Sequence, residues 1–105
     1  MQVIPLQPIP NQTLQVQLGN QACTLNLMQY AYGLFMDVYV SGAVIITGVI
    51  CENVNRIVRD LYLGFVGDFV FVDTAGATDP VYTGFGPNGR YQLVYLSPAD
   101  LGGFG

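Results

Sequence analysis

Histidine, lysine and tryptophan are absent from this 105-residue sequence, and only 10% of it is charged, against about 25% in an ordinary soluble domain. The missing histidine excludes Ser-His-Asp and Cys-His catalysis and every zinc site that needs an imidazole. Three arginines set against seven acidic residues leave a net charge of −4. A grip on nucleic acid needs many cations on phosphates, so no nucleic-acid partner is expected. The same deficit argues against an anionic membrane surface. Two cysteines, Cys23 and Cys51, are too few for a disulfide framework. They lack C-x-x-C spacing and read as buried, reduced thiols without a redox or metal role. Met1–Pro8 has no basic segment and no continuous apolar stretch, so a targeting signal is not expected. Long apolar runs are also missing. The longest, Ala43–Cys51, is interrupted by Thr47 and Gly48 and falls far short of the ~20 residues of a membrane helix.

What is present is apolar. Hydrophobic residues make up 51% of the chain, and the mean hydropathy is +0.43. The length fits a single domain, residues 1–105, with a core of its own. So apolar a chain with so few charges is expected to have part of its surface covered by other chains.

Residues 1–10 contain Pro5, Pro8 and Pro10 and read as an extended arm or edge, because each proline removes a backbone donor and fixes φ. Beyond it the hydrophobic period becomes two. Leu14, Val16 and Leu18 share one face, Gly19-Asn20 marks a turn, and Cys23, Leu25 and Leu27 resume the alternation, which is a hairpin pattern. After Gly33, Leu34 to Val40 gives a third strand with Met36, Val38 and Val40 inward. Phe35 and Tyr39 on its second face predict that this face is covered too. Ser41-Gly42 suits a tight hairpin turn. Ala43 to Cys51 then reads as a fourth strand, rich in β-branched residues and nearly continuously apolar. Residues 53–60 are irregular. Asp68 to Asp73 forms a fifth strand and Arg90 to Leu96 a sixth, with Tyr91, Leu93 and Tyr95 opposite Gln92 and Val94. Thr74–Gly89 is a long loop with four glycines and two prolines, and loops of this length are usually functional or interaction elements. Residues 97–105 form a polar, glycine-rich tail. No segment carries the period of a normal helix. The class is therefore all-β: a small antiparallel barrel or sandwich of about six to seven strands with meander connections.

Candidate chemistry is sparse. Asp68, Asp73 and Asp79 stand beside glycine, threonine or proline, where an aspartate caps a turn through its own side chain. No calcium-loop spacing is present. The arginines Arg56 and Arg59 read either as surface ion pairs or as interface anchors, since arginine is enriched in protein interfaces and lysine depleted. In the long loop, Tyr82 and Phe85 either meet a partner or fold back over the end of the β structure. Asp79, beside them, joins Tyr82, Phe85, Arg56 and Arg59 as the candidate interface set. The arm, the long loop and the tail look least able to bury themselves, so they are the expected contact segments.

Several phrases of the sequence, taken together, resemble one family. They are Pro10-Asn11-Gln12 ahead of the hairpin, Gly67-Asp68-Phe69-Val70-Phe71-Val72-Asp73-Thr74, Asp79-Pro80-Val81-Tyr82-Thr83-Gly84-Phe85-Gly86, and Arg90-Tyr91-Gln92-Leu93-Val94-Tyr95-Leu96. From about residue 2 to residue 97 the chain is similar to the cyanophage-type baseplate plug-domain proteins of contractile-tailed bacteriophages. The resemblance implies a structural virion protein of the tail baseplate. It would be packed in several copies among tube, sheath and hub subunits and assembled in the host bacterial cytoplasm, with no catalytic residues, no metal and no cofactor. Two rivals follow from the residues alone. One is a small β-barrel binding an apolar small molecule; the other is a hydrolase built on converging aspartates.

Overall fold

The computed structural model describes residues 2–18, 20–54, 56–58, 67–86 and 89–97. Arg59, Asp60, Gly64 and residues 98–105 of the tail lie outside the described residues. Seven strands are present among those described: β1 (Gln2–Ile4), β2 (Asn11–Leu18), β3 (Gln21–Tyr30), β4 (Gly33–Val40), β5 (Ala43–Ile50), β6 (Asp68–Asp73) and β7 (Tyr91–Leu96). They form two antiparallel sheets, one of four strands in the order β2-β3-β4-β5 and one of three in the order β1-β7-β6. The sheets are not joined edge to edge, so the fold is a sandwich and not a closed barrel. The rival reading as a ligand-holding barrel loses its scaffold with that closure.

The larger sheet is a meander, and its turns follow from local chemistry. Ser41 and Gly42 both have positive φ, 51° and 80°, which is the backbone a two-residue turn between twisted strands requires. Asn20, with φ of 64°, plays the same part between β2 and β3. The smaller sheet is not a meander. The N-terminal strand β1 pairs with β7, setting Val3 opposite Val94. Only part of the arm is therefore open: Ile4 and Leu6 are buried. The arm thus buries more of itself than was expected of a segment ranked among the least able to do so. Its prolines forbid a helix, but an edge strand pairs on one side only and tolerates prolines just beyond it.

Alternation places the core. Cys23, Leu25 and Leu27 of β3 and Leu34, Met36 and Val38 of β4 point inward. From the other sheet come Phe69 and Phe71 of β6 with Leu93 and Tyr95 of β7. All of these belong to one buried cluster, joined by Ile4, Leu6, Ile57 and Val58. Leu14, Val16 and Val40 lie at its rim, partly buried. On the second face of the small sheet, Val70, Val94 and Leu96 form a separate buried cluster.

The nearly continuous apolar run from Ala43 forms the expected strand, and that strand, β5, is the edge of its sheet, with Val44 62% exposed. Its register against β4 shifts twice. At the shift after Met36, Gly48 takes φ of 65° and donates its N–H to Asp37 Oδ1 at 2.7 Å. Bulges of this kind twist an edge away from further pairing. The second face of β4, predicted to be covered, carries half-buried Phe35, Asp37 and Tyr39.

Leu25 is fully buried and Leu14 only partly. Leu25→Ala should therefore cost about 2–5 kcal/mol in denaturant unfolding, and Leu14→Ala distinctly less. Equal costs would mean that the sheet faces are assigned wrongly. Both thiols are free and buried, and burial pushes the Cys51 thiol well above its ordinary range. A thiol reagent should accordingly label neither cysteine in the native protein and both after unfolding without reductant; fewer than two in the unfolded chain would contradict the reduced state.

Candidate functional site

The long loop leaves β6 and returns to β7, and a single carboxylate fastens both of its ends. Asp73 closes β6, and its side chain is fully removed from solvent. Arg90, just before β7, grips it with a two-pronged contact, Nε to Oδ1 at 2.7 Å and Nη2 to Oδ2 at 2.9 Å. Such paired charged bonds fix geometry as well as adding strength. The same carboxylate accepts the N–H groups of Ala75 and Thr78, both at 2.9 Å, and the Thr78 hydroxyl. Thr78 Oγ1 is also 2.9 Å from the Tyr91 hydroxyl. The Arg90 guanidinium lies over the Tyr91 ring, 5.3 Å from its centroid, a favourable cation–π placement. Arg90 is the main reason that the Asp73 carboxyl is held well below the usual carboxylate range. The backbone and hydroxyl donors add to this, and burial opposes it. Sequence reasoning found the turn role of Asp73 and missed Arg90 altogether.

The loop then folds back over the core. A short 3-10 turn at Tyr82–Gly84 is tied to the other sheet by the Tyr82 N–H donating to Gln29 Oε1 at 3.1 Å. Phe85 is 5% exposed and stacks on Phe71 with ring centroids 5.8 Å apart. A Cβ at Gly84 would collide with the Tyr91 ring, so close approach demands glycine there. These contacts fold Tyr82 and Phe85 back over the end of the β structure, the second of the two arrangements expected for them, and the loop buries more of itself than expected. Phe85 is a core residue, and Tyr82 is partly buried against the core.

The remaining candidates are scattered. Asp79 is exposed and accepts the Asn53 N–H at 3.1 Å, joining the loop to the stretch after β5. Asp68 is buried and accepts the N–H groups of Val58 and Phe69, each at 2.7 Å. Arg56 lies 4.0 Å from its second oxygen. Asp68 and Asp73 sit at opposite ends of β6, so they do not converge as a hydrolytic pair must.

An aromatic patch that the sequence reading did not single out stands on the outer face of the larger sheet, at the β3–β4 turn. Tyr30 and Tyr32 stack at 5.8 Å, and Phe35 meets them edge-on at 5.5 and 5.4 Å. Tyr32 is 75% exposed and Tyr30 46%. Beside them lies an open hollow of about 380 Å³ lined by Tyr30, Tyr32, Ile50, Pro80 and Val81 among others. Tyr30-Ala31-Tyr32 falling at a hairpin turn, three residues ahead of Phe35, was the available signal.

The carboxylate clamp makes a pH-dependent contribution whose sign is fixed. The folded pKa of Asp73 lies below the unfolded value of about 3.9. Its stabilisation is therefore complete above that pH and fades as pH falls from there toward the folded value. Asp73→Asn should destabilise the protein more at neutral pH than at about pH 3, measured by urea unfolding of both proteins at each pH. A difference independent of pH would show that the charge of Asp73 contributes nothing.

A search of curated proteins finds no match to this chain. A family model described as the cyanophage baseplate Pam3 plug gp18 matches residues 1–98. Matched over nearly all of its length, the chain belongs to the cyanophage baseplate plug family.

Proposed function

We propose that this protein is a structural, non-catalytic component of a contractile phage tail baseplate. It is built into the virion in several copies among tube, sheath or hub subunits as the particle assembles in the host bacterial cytoplasm. The family match over residues 1–98 carries this reading. The surface supports it. No charged residue occurs before Asp37, so β2 and β3 offer the outer face only neutral side chains. That face also holds the exposed Tyr30 and Tyr32 with Phe35 and Ile50. Uncharged, aromatic-rich surface is what the buried centre of a protein interface is made of.

The partners are proteins. With three arginines and a net charge of −4, the chain has little with which to hold nucleic acid or an anionic membrane. Asp79, Tyr82 and Arg56 lie on accessible or half-accessible ground and remain interface positions in this proposal, together with Arg59 and the tail. Phe85 contributes from beneath, holding the loop against Phe71.

The test is complementation in a phage lacking this protein. The wild-type chain should restore complete baseplates. A Tyr30→Ser/Tyr32→Ser variant should still fold, because both rings are exposed and give up only contacts worth about 0.5–1.5 kcal/mol per aromatic pair, and yet fail to enter the particle. Normal incorporation of the variant would remove the aromatic patch from the interface. Infectious, complete tails without the protein would overturn the functional reading itself.

A further inference from the structure

Each sheet has two edges, and an edge strand offers unpaired N–H and C=O groups to any strand that reaches it. Three of the four edges are closed to such pairing. β1 is three residues long and runs into Pro5. Along the outside of β6, Val54 and Ile57 donate their N–H groups to the carbonyls of Phe71 and Phe69 at 2.8 and 3.0 Å. Asn53 Oδ1 takes the Asp73 N–H. β5 breaks register twice and turns the Gly48 N–H to Asp37.

Among the described residues, β2 has none of these devices. It is eight residues long and pairs with β3 in unbroken register from Asn11 opposite Met28 to Leu18 opposite Gln21. The Gln29 N–H donates to the Pro10 carbonyl at 2.8 Å. Antiparallel alternation from that bond turns the backbone groups of Gln12, Leu14, Val16 and Leu18 toward β3. Those of Asn11, Thr13, Gln15 and Gln17 face the open edge. The strand contains no proline, no glycine and no charge. Leu14 and Val16 sit at the rim of the core, only partly buried.

We propose that β2 of one copy pairs antiparallel with β2 of a second copy about a two-fold axis, merging two four-stranded sheets into one. Charge selects this occupant. In a two-fold strand pair each side chain meets a residue of its own strand, so any charged position risks facing its like. β2 carries only neutral amide, hydroxyl and aliphatic side chains, so no register of the pair sets like charges opposite one another. The added strand also sets its own Leu14 and Val16 beside those of the first copy and continues the apolar inner face across the junction. Nothing in this pairing depends on the family to which the chain belongs.

Two readouts on the isolated full chain test it. Sedimentation should give twice the 11.4 kDa chain mass, shifting to the single mass on dilution. In hydrogen exchange, the amides of Thr13, Gln15 and Gln17 should be slow in the concentrated sample and fast in the dilute one. Those of Gln12, Leu14 and Val16, already bonded to β3, should be slow in both. A Thr13→Lys/Gln15→Lys variant should keep the circular dichroism spectrum and lose the dimer. The exchange pattern of the unmodified protein decides the matter should that variant fail to fold. A single-chain mass with fast outward amides at every concentration would overturn the proposal. So would an oligomer that survives the two lysines, or protection that appears only when another tail protein is added.

Discussion

The structure depends on one contact, the closure of the small sheet's inner face over that of the larger sheet. Three strands cannot bury their own inner side chains, and Phe69, Phe71 and Leu93 reach zero exposure only because they share a cluster with Leu25, Leu27, Met36 and Val38. Each such side chain contributes about 1.5–3 kcal/mol on full burial, far more than any surface ion pair. The long loop is an extension of this contact, since Phe85 lies on Phe71 and the Tyr82 backbone bonds to Gln29 of the opposite sheet. The Asp73–Arg90 clamp acts at the mouth of the loop and keeps Phe85 over its seat.

Charge is distributed very unevenly along the chain. All three arginines and six of the seven acidic residues come after position 50. They make the local ties seen there, Asp68 to the backbone of Val58 and Phe69 and Asp73 to Arg90. The larger sheet, made from the first half of the chain, contains a single charge, Asp37, which is committed to the β5 bulge. One side of the sandwich is thus held together by ionic and polar bonds, and the other presents a neutral face with an aromatic patch. A protein working alone gains little from such a face; a subunit of an assembly uses it.

Most of the strands were legible because half-buried antiparallel strands alternate strictly. Thr13-Leu14-Gln15-Val16-Gln17-Leu18 and Cys23-Thr24-Leu25-Asn26-Leu27 each declare two faces. What failed had physical reasons. The apolar run Ala43–Cys51 declares a strand but not its place in the sheet, because β-branched residues favour strands wherever they lie; composition does not report which side of a strand lacks a neighbour. The three-residue pairing of β1 with β7 spans almost the whole chain, and no local pattern signals so distant a partner. The sequence left Phe85 open between meeting a partner and folding back because glycines surround it, and Gly84 is there to admit the Tyr91 ring. Arg90 read as the first residue of a strand, and its role appears only when the loop brings it back to Asp73. The family was legible because it rests on whole phrases of sequence, whereas the aromatic patch needed the turn geometry that stacks Tyr30 on Tyr32.

The central claim is that this sandwich is a built-in part of a tail baseplate. Quantitative mass spectrometry of purified virions, and of baseplates separated from their tails, tests it most directly. The account predicts the chain in both at a fixed small-integer ratio to the other baseplate proteins, retained through washing at high salt because its neutral faces do not hold by charge. A chain found in infected cells but missing from purified virions would contradict it.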